Sequence, residues 1–190
     1  MSKRYFVDQR YKAINFGLET LEMGEYEGCA FSGCQFSNVN LSEIVFVDCT
    51  FDGCDFSMAK ISGTAFRTVQ FKNCKLLGLR FDECNTFGLA MAFENSLLNL
   101  SSFFKLSLRK TRFLSCQLKE VDFTQSNLGG AVFDGCDLSG AVFEQTNLEH
   151  ADFRSAIHYS IDPNNNKLAK AKFSLPGVLG LLDRFPIVIE

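Results

Sequence analysis

Large apolar residues recur at every fifth position along most of the chain. One series runs from Phe6 to Phe81, and after a shift of two residues a second series runs from Phe93 to Phe153. In the second series phenylalanine and leucine alternate without exception. The residue two places before each of these positions is usually small, and the residue after it is usually polar. The pattern therefore places one large and one small apolar residue in each repeat of five.

A period of five fits neither a helix nor a continuous strand. On an α-helix, steps of five residues advance by about 140° and leave no apolar face. On a strand, successive positions of the series would point to opposite faces. The pattern is satisfied by a chain that turns a corner after every repeat, so that four sides close one coil. Stacked coils about 4.8 Å apart then form a solenoid in which neighbouring coils cover each other's core.

We therefore expect an all-β fold, a quadrilateral β-helix of about seven coils and about 35 Å in length. Residues 1–25 are expected to form an N-terminal cap and first coil, 26–156 the β-helix, and 157–190 a C-terminal cap and dimerisation segment. The two-residue shift predicts a register break within 82–92, where Gly88 can adopt unusual dihedral angles. The break is either a packing defect or a kink that shapes the surface for a partner.

The C-terminal segment departs from the repeat. Ser174 and Pro176 are typical of a helix start, and the pattern predicts a helix followed by an extended tail. The segment has more apolar residues than a cap over the last coil requires, so we expect a two-fold homodimer through this end. The predicted interface consists of Leu175, Val178, Leu179, Leu182, Phe185 and Ile187.

The composition is explained by the same architecture. The chain of 190 residues has 21 phenylalanines, and 18 of them fall on the five-residue positions when Phe173, which keeps the second register, is counted. Seven of the eight cysteines occupy the small inward position, and Cys84 continues that register into the break. We expect buried, reduced thiols, although Cys34, Cys54 and Cys74 stack closely enough to make a disulfide conceivable.

The sequence offers little catalytic or metal-binding chemistry. It has no C-x-x-C zinc pair and no hydrolase or phosphate-loop motif. His150 and His158 are expected at surface or packing positions, and Asp137 and Asp152 precede buried residues, where their side chains support turns. We predict a protein that is not an enzyme and that uses no cofactor and no metal.

Charge and hydropathy narrow the classes of partner. No apolar run is long enough to span a membrane and no signal-peptide core is present, so we expect a cytoplasmic protein without a membrane partner. The net charge of −3 argues against a nonspecific nucleic-acid binder. The charge is segregated, with a net −7 over residues 19–60, +5 over 61–112 and −5 over 115–156.

Each acidic segment spans about two coils, roughly 10 Å of rod, over which duplex DNA carries about six charges. The number of negative charges per unit length of the rod is therefore that of duplex DNA, although these charges are spread over four sides. Segregation of this kind favours a field directed at a basic partner, and a solvated acidic surface is the alternative. The predicted partner-binding acidic surface consists of Glu120, Asp122, Asp134, Asp137, Glu144, Glu149 and Asp152.

The repeat resembles the pentapeptide-repeat family, whose repeat reads roughly A(D/N)LXX. Good copies are Ser126-Asn127-Leu128-Gly129-Gly130, Cys136-Asp137-Leu138-Ser139-Gly140 and Ala151-Asp152-Phe153, and the resemblance covers about residues 24–156. The family implies a right-handed quadrilateral β-helix.

Within the family, the break after Phe81 and the ending from Ile161 to Leu182 resemble the topoisomerase-protecting branch, the Qnr-type and albicidin-immunity proteins. The resemblance implies a dimeric rod that mimics duplex DNA, binds DNA gyrase or topoisomerase IV and relieves poisoning by an inhibitor. The uninterrupted repeat leaves no room for the projecting loops of Qnr-type proteins, so the loop-free albicidin-immunity type is the closer match. The rival hypothesis is a structural scaffold with an unrelated partner, which acidic residues scattered over all four sides would favour.

Overall fold

The chain winds into stacked coils of four short sides, and each side holds one repeat of five residues. The structure is a computed structural model that describes residues 4–188. The large residue of each repeat lies at the centre of a side and points inward. The residue two places later turns the corner with a positive φ, as at Gly140 (69°) and at Leu100 (63°). Because a corner follows every side, no strand exceeds four residues.

The strands form two parallel sheets on neighbouring sides of the coil. They are β1 (Tyr5–Val7), β2 (Arg10–Lys12), β3 (Glu25–Glu27), β4 (Ala30–Ser32), β5 (Val45–Val47), β6 (Thr50–Asp52), β7 (Ala65–Arg67), β8 (Val69–Lys72), β9 (Met91–Glu94), β10 (Arg112–Leu114) and β11 (Val132–Asp134). One sheet has the order β1-β3-β5-β7, and the other has the order β2-β4-β6-β8-β9-β10-β11.

We number the sides 1 to 4 in the order in which the chain follows them. The first sheet lies on side 1 and the second on side 2. Sides 3 and 4 stack through isolated bridges, such as Gln35 to Asp55 and Asn40 to Lys60. The predicted fold class, an all-β quadrilateral β-helix, is confirmed.

The register between coils changes by two residues on side 1. Ala65 pairs with Asn85, twenty residues on, whereas Val69 pairs with Met91, twenty-two residues on. The two additional residues therefore form a bulge within residues 86–90. The stacking of the coils continues across it, because the Val69 amide donates to the Ala90 carbonyl at 2.9 Å.

The core is a column of stacked side chains. On side 2, neighbouring aromatic rings lie 4.6 to 5.4 Å apart from one end of the solenoid to the other. The rings of this stack are Tyr11, Phe31, Phe51, Phe71, Phe93, Phe113, Phe133, Phe153 and Phe173. Rings on opposite sides of the coil meet edge to face, as Phe113 on side 2 and Phe123 on side 4 do at 6.0 Å and 79°. Both arrangements are favourable for aromatic pairs.

The cysteines are small core residues, as predicted. All eight are free and buried. Seven of the eight thiols donate to carbonyl groups of the preceding coil, as in Cys49 to Tyr26 at 3.2 Å. The Thr64 hydroxyl makes the same kind of bond to the Leu41 carbonyl at 2.8 Å. The small inward position therefore accepts Cys and Thr as well as Ala. The thiol of Cys and the hydroxyl of Thr can donate a hydrogen bond to a carbonyl group of the preceding coil.

The C-terminal segment covers the last coil with a short 3₁₀ helix, Pro176–Leu181. The predicted helix is thus present, but it is a 3₁₀ helix of six residues, with no described residue in an α-helix. It packs tightly on Tyr159, since a Cβ atom at Gly180 would lie 2.1 Å from the Tyr159 carbonyl oxygen. The Ile161 amide donates to the Gly180 carbonyl at 2.8 Å, which ties the helix to the coil.

The proposed segment boundaries fall within one continuous ladder of pairs. β1 already pairs with β3, and Asp152 pairs with Lys172. The division at residues 25 and 156 therefore stays a prediction. No helix in the described part of the chain is long and apolar enough to cross a membrane.

Candidate partner-binding surface

The seven acids of the predicted surface lie on all four sides of the solenoid. Outside the bulge, each coil contains twenty residues in four sides of five. Residues that are close in sequence therefore often lie on different sides. Glu149 lies on side 1, Asp134 and Asp152 on side 2, Asp137 on side 3, Asp122 and Glu144 on side 4, and Glu120 at the corner between sides 3 and 4. The structure brings only Asp122, Glu144 and the adjacent Glu120 toward one side.

Asp152 and Glu144 each pair with cations of the same chain. Asp152 pairs with Arg154 at 2.7 Å and with Lys172 at 4.0 Å. Glu144 pairs with Arg184 at 2.9 Å. These contacts reduce the charge that each carboxylate presents to a partner.

Asp137 is the most heavily bonded acid of the set. Its carboxylate accepts from the Ser139 hydroxyl at 2.6 Å, lies 3.0 Å from His158 Nδ1 and pairs with Lys119 at 3.2 Å. Burial alone would raise the pKa of Asp137, but the hydrogen bonds from Ser139 and His158 outweigh it and hold the pKa well below its ordinary value. We therefore assign Asp137 a structural role in the stacking of side 3.

The other four acids have no ion-pair partner among the described residues. Asp134 accepts a hydrogen bond from the Ser155 hydroxyl at 2.5 Å, and Asp122 accepts one from the Thr124 amide at 2.8 Å. Glu120 and Glu149 lie at or beside corners. These four carboxylates lie on three different parts of the rod.

Side 4 carries the largest excess of negative charge. Its five-residue segments hold eight acids and three bases. The acids are Glu19, Glu22, Glu43, Asp82, Glu83, Asp122, Glu144 and Asp162, and the bases are Lys60, Arg80 and Lys105.

Side 2 has the opposite excess. It holds four acids, Asp52, Glu94, Asp134 and Asp152, and six bases, Arg10, Lys12, Lys72, Arg112, Arg154 and Lys172. The net charge of each sequence segment does not reveal this difference in net charge between the sides. The signal that could have found it is the position of each charge within the twenty-residue coil.

Side 4 is much less charged than duplex DNA. Eight coils span about 38 Å, over which duplex DNA carries about twenty-two charges. The eight acids of side 4 therefore reach about a third of that density, even before its bases are counted. The match to DNA density holds for whole acidic segments and not for any one side.

Comparison with known families agrees with the fold. A model described as a pentapeptide repeat region matches residues 20–103, and a second model, of pentapeptide repeats, matches eight copies over residues 116–154. Together the two models match well over half of the chain. The chain belongs to the pentapeptide-repeat family.

Among solved structures, this pentapeptide-repeat protein is similar to two trypsin-treated variants of QnrB1, which is described as a plasmid-mediated fluoroquinolone resistance protein. One has a TM-score of 0.71 at 18% identity, over 98% of this chain and 92% of that chain. The other has a TM-score of 0.63 at 17% identity, over 98% of this chain and all of that chain. At these identities the likeness concerns the fold. A comparison with curated proteins finds no match.

The described residues contain no cluster of three or more histidine, cysteine or acidic side chains arranged to hold a metal ion. The centre of the solenoid is filled by side chains, and the depressions on its surface are open grooves between coils. The geometry thus offers outer surfaces for binding.

Proposed function

We propose that this pentapeptide-repeat protein is a non-enzymatic binding protein that mimics duplex DNA, binds DNA gyrase or topoisomerase IV and protects the enzyme from an inhibitor. The observation that carries the proposal is the likeness of nearly the whole chain to the QnrB1 rod, with a TM-score of 0.71. A rod filled by its own side chains has no enclosed site for a substrate, which supports a function through its surface.

Side 4 is the surface that we assign to the topoisomerase. A DNA-binding channel is basic, so it attracts the side with the largest acidic excess. Glu43 lies in the acidic segment 19–60 and Asp122 lies in the acidic segment 115–156. Neither has an ion-pair partner in the described part of the chain. Because side 4 has about a third of the charge density of a duplex, we expect a weaker salt dependence than that of DNA itself.

The C-terminal end is proposed to form a homodimer, which would double the length of the rod. Leu175 is 87% exposed and Leu179 is 48% exposed, and Phe185 and Ile187 are also exposed. Leu181, by contrast, packs inward against the core. A cap alone does not need four exposed apolar residues, so the surplus supports self-association through this end.

A second candidate function is a structural scaffold with a partner unrelated to DNA enzymes. The observation that favours it is the distribution of the seven predicted acids over four sides, with Asp137, Glu144 and Asp152 bound to cations of the same chain. In that function the charges serve solubility and the stacking of the coils.

A gyrase supercoiling assay with and without inhibitors separates the two functions. The proposal predicts that the protein restores supercoiling in the presence of at least one gyrase poison. The double variant Glu43→Lys/Asp122→Lys, on side 4, should require a several-fold higher concentration. The matched control Glu27→Lys/Glu149→Lys makes the same charge change on side 1 and should leave the titration unchanged.

The outcomes distinguish the partner from the surface. No effect of the protein on supercoiling with any poison would contradict the topoisomerase function and favour the scaffold. Protection that both double variants weaken equally would contradict the assignment to side 4, since net charge rather than position would then decide binding.

A further inference from the structure

The C-terminal tail places a cation on side 4. Arg184 follows the 3₁₀ helix Pro176–Leu181 and returns to the solenoid. Its Nη2 atom lies 2.9 Å from Glu144 Oε1, and its Nη1 atom lies 3.7 Å from Asp162 Oδ2. One guanidinium group therefore bridges two carboxylates of the side to which we assign the partner.

The C-terminal end of side 4 has no base of its own. Its last three segments hold Asp122, Glu144 and Asp162, whereas all three bases of side 4 lie before residue 106. Three acids without a base give this end a net charge of −3, and Arg184 reduces it to −2. The cation that neutralises this end therefore comes from the tail, and it pairs with two of the three acids.

The cap over the last coil does not depend on this contact. The Ile161 amide donates to the Gly180 carbonyl at 2.8 Å, and Gly180 packs on Tyr159, so the helix is fastened before the tail begins. Among the described residues after Leu181, Arg184 alone makes an ion pair or a hydrogen bond to the solenoid. Its side chain is 55% exposed, and an exposed ion pair contributes little stability. The tail can therefore leave side 4 at a small cost in free energy while the cap stays in place.

We propose that Arg184 is an electrostatic clasp, an intramolecular cation that a basic partner must displace before it binds Glu144 and Asp162. The proposal rests on the proposed function insofar as side 4 is the surface that binds the partner. A ligand shifts an equilibrium only by its difference in affinity for the two states. A single cation gains nothing over Arg184, whereas a surface with several cations also contacts the neighbouring acids of side 4. The clasp therefore favours an extended basic surface over isolated cations.

Fluorescence anisotropy of the full-length protein with a labelled nonalysine peptide tests the clasp without gyrase. At about 0.05 M salt, where exposed charges are weakly screened, Arg184→Gln should bind the peptide about two- to fivefold more tightly than wild type. Arg184→Lys keeps the charge and should stay close to wild type. The matched control is Lys170→Gln, which makes the same charge change at an exposed lysine on the corner between sides 1 and 2. This lysine has no ion-pair partner among the described residues, so its loss frees no carboxylate.

Two further measurements connect the clasp to its carboxylates and to the partner. The double variant Arg184→Gln/Glu144→Gln should lose the gain in peptide affinity, because the carboxylate that Arg184→Gln frees is then absent. Immobilised Arg184→Gln should also bind DNA gyrase more tightly than immobilised Lys170→Gln. Circular dichroism melting establishes that the variants remain folded.

The outcomes separate the clasp from the proposed function. Tighter peptide binding by Arg184→Gln than by Lys170→Gln, lost in the double variant, supports the clasp. Equal peptide binding by Arg184→Gln and Lys170→Gln, or a gain that the double variant keeps, would overturn it. If the peptide results hold but gyrase binds none of the proteins, the clasp stands and the topoisomerase function is contradicted.

Discussion

Replacement of Phe113 by alanine removes an interior ring of the aromatic stack on side 2. Phe113 is 0% exposed and lies between Phe93 at 5.2 Å and Phe133 at 5.0 Å. It also meets Phe103 and Phe123 edge to face at 6.1 and 6.0 Å. A buried Phe→Ala change costs about 3–5 kcal/mol through lost transfer free energy and the cavity that remains. Since the coils above and below are fixed by their own cores, we expect little collapse and a loss of about 4 kcal/mol in the free energy of unfolding.

Equilibrium urea denaturation followed by circular dichroism measures this loss. With a slope of about 2 kcal/mol per molar urea, the midpoint should fall by about 2 M. Phe113→Leu places at this position the residue that alternates with phenylalanine in the second series, and it should cost about 1 kcal/mol. Phe87→Ala, at the exposed bulge, should change stability by less than about 0.5 kcal/mol. Equal midpoints for Phe113→Ala and Phe87→Ala would refute the account of the core.

Three further predictions follow from particular contacts. Gly180→Ala should detach the C-terminal cap, since its Cβ would lie 2.1 Å from the Tyr159 carbonyl oxygen, and limited proteolysis should then cleave after Arg184 faster than in a Leu175→Ala control. Because hydrogen bonds hold the pKa of Asp137 below its ordinary value, its stabilisation is present above about pH 4 and is lost as the pH falls through the folded pKa. Urea midpoints of wild type and Asp137→Asn should therefore differ at pH 6, and the difference should shrink as the pH falls below about 4; a difference that does not depend on pH would contradict this. All eight thiols are buried, and burial raises the pKa of Cys49 to about 12, so native protein should not react with a thiol reagent at pH 8, whereas reaction of the folded protein within minutes would contradict the buried positions.

The core of this fold could be predicted from the sequence because every side of the coil contains one copy of the five-residue repeat. A residue such as Phe51 recurs every five positions, and only a corner after each repeat lets all members of the series point inward. The same reasoning predicted the buried thiols, since Cys54 lies at the small inward position of its repeat and is buried in the structure.

The candidate surface could be predicted less well, for two physical reasons. Net charge over a stretch of sequence does not say which side a charge occupies, so Asp134 and Asp137, three residues apart, were assigned to one surface although they lie on sides 2 and 3. Ion pairs also reduce the charge that a carboxylate presents to a partner. The pair of Glu144 with Arg184 joins residues forty positions apart, so the local sequence does not reveal it. The C-terminal helix was predicted from its apolar spacing, but contact with Tyr159 holds it in a short 3₁₀ form.

The central claim, that this rod binds a type II topoisomerase in place of DNA, is tested most directly by a competition measurement. The purified protein is immobilised, DNA gyrase is passed over it, and linear duplex DNA is then added at increasing concentration. The account predicts that gyrase binds, that duplex DNA displaces it, and that the Glu43→Lys/Asp122→Lys variant binds more weakly than wild type. Absence of gyrase binding, or binding that duplex DNA does not displace, would contradict the account.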